Sequence, residues 1–180
     1  LEAVESVCSS KKEFAAAKKA ILKDILLDSL CDHYDRNPSN LSMIRDRNGI
    51  YLSPKYDNGT SLSVSVPKEV LRNLFAEHET EKDAHDALRQ RVYSKIGYLN
   101  QKYVGYPGLE RYIFSYHLDE VKDFVALVEE RLTDEAIENI INQEKYEGLG
   151  DVQKQIVRAK LKTNRDSMLE RFKAISKKVA

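Results

Sequence analysis

Apolar residues recur every three or four positions after Ser10: Phe14, Ala17, Ile21, Leu22, Ile25, Leu26 and Leu30 form one stripe. That period predicts an amphipathic helix. Its start is marked by Ser10-Lys11-Lys12-Glu13, a capping box in which serine and glutamate each satisfy a backbone N–H with no helical partner. The helix is expected to stop before Asn37-Pro38, because the residue before proline avoids helical angles. Between residues 41 and 66 the pattern changes. Asn48-Gly49 and Asn58-Gly59 are hairpin-turn dipeptides, set among Leu41 to Ile44, Ile50 to Leu52 and the alternating Leu62-Ser63-Val64-Ser65-Val66. The pattern predicts a three-stranded antiparallel meander whose last strand buries Leu62, Val64 and Val66.

Helical spacing resumes at Pro67, with Val70, Leu71, Leu74 and Phe75 on one face. A second helix, capped by Thr80, carries Ala84, Leu88, Val92, Ile96 and Leu99. Gly105 to Gly108 breaks the pattern, and the β-branched and aromatic content of Leu109 to Tyr116 predicts a further strand. Three helical stretches follow: 118–132, 134–146 with Thr133 as cap, and Gly150 onward with an interruption near Thr163-Asn164. The reading is an α+β fold, predominantly helical, with a small meander near 41–66 and one strand near 109–116. It makes 1–180 a single domain, with a division into an α+β part at 1–116 and a helical part at 117–180 as the alternative.

Composition narrows the class. With 42% hydrophobic and 32% charged residues the chain can bury a core and solvate its surface. Its 29 basic and 29 acidic side chains cancel, which argues against a surface given over wholly to nucleic acid. Apolar runs are too short and too often charged to span a bilayer, so no membrane partner is expected. The start at Leu1 rather than Met leads one to expect either a trimmed chain or a fragment. Cys8 and Cys31 are expected as free thiols, about 30 Å apart along the first helix, which suits a reducing, cytoplasmic setting.

Charge is uneven along the chain. From His117 to Gly148 ten acidic residues face three basic ones, and from Leu149 to Ala180 nine basic face three acidic. Two readings follow: the two stretches neutralise each other as packed helices, or the stripe Lys154, Arg158, Lys162, Arg165 meets a separate acidic partner. Leu161, Met168 and Ile175 repeat every seven residues, too briefly for a coiled coil.

Searches for GxxxxGK[ST], GxGxxG, HExxH, GxSxG and CxxC find nothing. Glu81 and His85 share a helical face but have no further metal ligands beside them, so no metal and no cofactor is expected. The polar cluster Cys31, Asp32, His33, Asp35 reads as a histidine favoured by the negative end of the helix dipole. Arg89 to Tyr116 holds six of the ten tyrosines interleaved with basic residues. Rings that stack on bases and cations that hold phosphates make it a candidate nucleic-acid interface, while tyrosine and arginine also anchor protein partners and rings also finish cores. The expected binding residues are Arg89, Arg91, Lys95, Tyr98, Lys102, Tyr103, Tyr106 and Arg111. The sequence reading is thus a non-catalytic interaction or regulatory domain on nucleic acid, with a protein–protein adaptor as runner-up and an enzyme as the least favoured class.

Overall fold

A computed structural model describes residues 1–33, 41–47, 49–54, 60–63, 66–77, 83, 104–143 and 148–179. A short helix α1 (Glu2–Val7) leads into α2 (Lys11–Leu30), then a hairpin of β1 (Met43–Asp46) and β2 (Gly49–Leu52). A 3-10 turn at Ser61–Ser63 and helix α3 (Lys68–Glu77) follow. The remaining described helices are α4 (Tyr106–Tyr116), α5 (Leu118–Arg131), α6 (Asp134–Ile141) and α7 (Asp151–Val179). The fold is α+β and mostly helical.

Helix α2 begins as its capping box dictates. The Ser10 hydroxyl accepts from the Glu13 N–H at 3.1 Å, while the Glu13 carboxylate reaches back to the N–H of Ser9 rather than Ser10. From Ala17 to Leu30 the apolar stripe is buried. The helix stops at Leu30, earlier than a proline stop would place it; Asn37-Pro38 lies outside the described residues.

The hairpin pairs Met43 with Leu52 and Asp46 with Gly49, so Gly49 opens β2 instead of sitting at the centre of the turn, and Asn48 lies outside the described residues. Gly49 has φ +127°, a value an L side chain would resist, so the glycine is required there. Among the described residues the sheet has two strands, where three were expected. Leu62, assigned by alternation to a third strand, sits in the 3-10 turn with φ +56°. Its N–H donates to the Cys31 carbonyl at 2.7 Å, and its side chain packs against the cluster of Ile137, Ile141, Val157 and Leu161. A tertiary hydrogen bond and a different apolar contact thus outcompete the alternating pattern. Val64, Asn58-Gly59 and the helix expected after Thr80 lie outside the described residues, Asp83 apart.

Residues 109–116 are helical, against the expectation of a strand. Tyr106, Leu109, Glu110, Ile113 and Phe114 are buried, at spacings of three, one, three and one, which is one face of a helix and of no strand. Pro107 in the first turn starts it. Periodicity, not β propensity, decides this element.

The main core joins Leu22, Leu26 and Leu30 of α2, Tyr106, Ile113 and Phe114 of α4, Val121 and Val125 of α5, and Met168 of α7. Phe114 meets Phe172 edge to face at 5.4 Å. Burying each large apolar side chain of this kind is worth about 1.5–3 kcal/mol. Helix α7 runs unbroken past Thr163-Asn164 and touches α2 to α6. The stretches 118–132 and 134–146 appear as α5 and as a shorter α6, whose cap is the Thr133 hydroxyl accepting from Ala136 at 3.1 Å.

Candidate functional site: the buried end of helix α2

A helix leaves its last carbonyls without helical partners, and burying them unpaired costs free energy. At the end of α2 each successive residue finds a tertiary partner instead. The Leu30 carbonyl accepts from Asn164 Nδ2 of α7 at 3.0 Å. The Cys31 carbonyl accepts from Leu62. Asp32 turns the chain with φ +46°, a conformation aspartate tolerates better than most residues, and its Oδ2 meets Lys160 Nζ of α7 at 2.6 Å. His33 donates its N–H to the Asp28 carbonyl at 3.0 Å, and its own carbonyl accepts the Tyr106 hydroxyl of α4. Both Asp32 and Lys160 side chains are 0% exposed.

Beside this lies a second buried carboxylate. Glu110 of α4 takes the Ser29 hydroxyl on one oxygen and the Arg171 guanidinium of α7 on the other. Removing charges from water costs several kcal/mol per ion, about what a good internal pairing returns. Such groups therefore add little net stability, but each holds its partner in one place. Chemically, the arrangement fixes the backbone from Leu30 to His33, whatever follows. Among the described residues no three potential metal ligands converge.

Of the eight residues expected to bind a partner, two are described. Tyr106 is 1% exposed, its ring in the core and its hydroxyl on the His33 carbonyl, so it presents no face for stacking. Arg111 is exposed on α4. Arg89, Arg91, Lys95, Tyr98, Lys102 and Tyr103 lie outside the described residues. Tyr112 and Tyr116 pack on each other with ring centroids 5.1 Å apart.

The basic stripe of α7 faces the acidic helices. Arg158 makes two hydrogen bonds to Glu138, at 2.6 and 2.9 Å; Arg165 meets Asp134 at 2.8 Å, and Lys162 meets Asp134 at 3.2 Å. The Arg165 hydrogen bond lowers the Asp134 pKa, and that from Arg158 lowers the Glu138 pKa. Asp123 of α5, held first by Lys23 and also by Lys19 of α2, falls to about 2. Mutual neutralisation is thus the arrangement along Arg158, Lys162 and Arg165.

No protein-family model matches the chain. No characterised protein matches it in sequence. In fold it is similar to the crystal structure of a Helicobacter pylori proinflammatory kinase, CtkA, with a TM-score of 0.69 at 15% identity, over 89% of this chain and 54% of that one. The chain therefore spans about half the length of that neighbour, and the likeness is one of fold.

The end of α2 carries a sequence signal that a dipole reading of His33 misses. His33, Asp35 and Asn40 stand in the order H-x-D-x-x-x-x-N. The pattern contains no glycine-rich loop and no zinc-type spacing, so searches for those motifs pass over it.

Proposed function

We propose that this chain carries the catalytic loop and a metal-holding loop of a protein-kinase-like phosphotransferase. The observation that carries the reading is the spacing His33-Tyr34-Asp35-Arg36-Asn37-Pro38-Ser39-Asn40, which repeats the H-R-D-x-x-x-x-N order of the kinase catalytic loop. Two further features support it. An antiparallel hairpin follows, and after it comes Asp57-Asn58-Gly59, in the place where kinases have D-F-G. The fold neighbour is itself named a kinase.

In this reading Asp35 is the base that accepts the proton of the attacking hydroxyl, and Asn40 and Asp57 are the oxygen donors toward Mg²⁺. The donor set fits: a carboxamide and a carboxylate are hard oxygen ligands of the kind Mg²⁺ takes. Asn40 and Asp57 would hold the cation, which would supply positive charge to offset that developing on the transferred phosphate. His33, buried and tied at both its N–H and its carbonyl, anchors the start of the loop. Two departures limit the likeness. Tyr34 stands where kinases have arginine, and Asn58 where they have phenylalanine, so a switch based on that ring's packing does not carry over.

The test is phosphoryl transfer from γ-labelled ATP by the intact protein with Mg²⁺. Asp35→Asn should lower the rate by about 10²–10⁴-fold, the usual contribution of a general base, while leaving nucleotide binding in place. Equal rates for Asp35→Asn and wild type would overturn the assignment. The nucleic-acid and adaptor readings draw on Arg111 and on residues outside the described set, and a salt-dependent gel shift that survives Asp35→Asn would favour the former. A reducing, intracellular setting accords with Cys8 and Cys31 at opposite ends of α2 and joined by no disulfide. No helix among the described residues is long and apolar enough to cross a membrane.

A further inference from the structure

We infer that Lys160 and Tyr106 are positioning residues for the proposed phosphoryl transfer, acting through Asp32 and His33 on the loop that carries Asp35. The inference rests on the phosphotransferase reading and deepens it.

Lys160 and Tyr106 come from different helices, α7 and α4, and converge on neighbouring residues at the end of α2. Their targets stand three and two positions before Asp35. The Lys160 ammonium is wholly buried against the Asp32 carboxylate. An ordinary core would fill that volume with an apolar side chain at no cost in stability, since a buried ion pair seldom outweighs its own desolvation. What the pair supplies is a fixed location for Asp32 in a left-handed conformation, where the chain leaves the helix direction. The Tyr106 ring is locked in the core, so its hydroxyl reaches the His33 carbonyl from a rigid base. Asn164 and Leu62 pin Leu30 and Cys31 in the same manner. Four consecutive residues are thus held by three separate parts of the chain: α7, the 3-10 turn and α4. Phosphoryl transfer depends almost entirely on placement, and a misplacement of about 1 Å can cost roughly a hundredfold in rate. A loop whose base must meet a hydroxyl within hydrogen-bond reach has a use for that degree of constraint.

Stability and placement separate experimentally. Lys160→Met alone takes the cation from a buried carboxylate and destabilises the protein, so the informative variant is the double one, Lys160→Met with Asp32→Asn. Asparagine accepts the left-handed conformation, and the buried charges leave together. The double variant should regain most of the wild-type melting temperature, yet keep kcat about tenfold or more below wild type with KM for Mg·ATP unchanged. Tyr106→Phe, which removes a single oxygen, should show the same kcat-only loss, several-fold in size. Recovery of kcat in step with the melting temperature, or a Tyr106→Phe enzyme with wild-type kcat, would overturn the inference while leaving the phosphotransferase reading intact, provided Asp35→Asn is inactive. A wild type that transfers no phosphate at all would overturn both.

Discussion

The protein uses opposite charges in two different ways. Along α5 and α6, carboxylates meet the lysines and arginines of α2 and α7 at the surface: Lys23 on Asp123, Arg158 on Glu138, Lys173 on Glu129. At the end of α2, Asp32 and Lys160 meet with neither side chain exposed, and Glu110 holds Ser29 and Arg171 between helices. The chemistry is the same and the consequences differ. In water each surface partner is solvated whether or not it is paired, so a lost partner is readily replaced. In the core water does not take the lost partner's place, and the surviving charge carries more of the cost of its burial. Surface pairs tune how helices sit side by side, while buried ones commit the backbone to a single course.

The sharpest way to break this contrast is to remove one buried partner. Lys160→Met should lower unfolding free energy by about 3–5 kcal/mol in a denaturant titration, since Asp32 would remain charged in the core. A loss as small as that of a surface variant would show that water reaches the pair. Next in size is Tyr106→Phe, which leaves the buried His33 carbonyl without that hydroxyl and should cost about 1–3 kcal/mol by the same measurement. Arg158→Ala at the surface should move the melting temperature little, and most of that small effect should disappear in about 1 M salt, where charges a few ångströms apart are screened. An effect as large as that of Lys160→Met would erase the distinction.

The smallest effect concerns acid. The Lys23 hydrogen bond holds the Asp123 carboxyl at about 2, below its ordinary value, so the unfolded chain binds that proton more readily than the folded one. The pair's contribution is present above the ordinary carboxylate range near pH 4 and is lost as pH falls toward 2. Asp123→Asn should therefore flatten part of the decline in stability between about pH 4 and 2 and change little at neutral pH. An unchanged acid profile would show that Lys23 and Asp123 are not held together in solution.

Much of the helical framework can be read locally. Ser10 and Thr133 cap α2 and α6 because the hydroxyl and the N–H it serves lie within three residues of each other. The stripe from Ala17 to Leu30 is buried as its period requires. Leu109 to Tyr116 shows the limit of propensity: its β-branched and aromatic side chains suit a strand, yet Leu109, Ile113 and Phe114 keep helical spacing and the core takes them that way. The candidate site divides along the same line. The order of His33, Asp35 and Asn40 is legible in the chain, since chemistry that needs a base and an oxygen ligand on one loop leaves a fixed spacing. Lys160 and Tyr106 are not, because nothing near them in sequence marks them out.

The sequence by itself determined which segments could be helical, where several begin, the presence of a hairpin near residues 43–52 and the spacing of the proposed catalytic loop. All of these depend on groups only a few residues apart, where the chain's own geometry sets what can meet. The tertiary structure decided that Tyr106 belongs to the core, that Leu62 leaves its alternating pattern for the Cys31 carbonyl, and that Lys160 crosses 128 residues of chain to Asp32. Those outcomes turn on which buried polar groups find partners once distant helices pack, and desolvation acts on the assembled core rather than on any one segment.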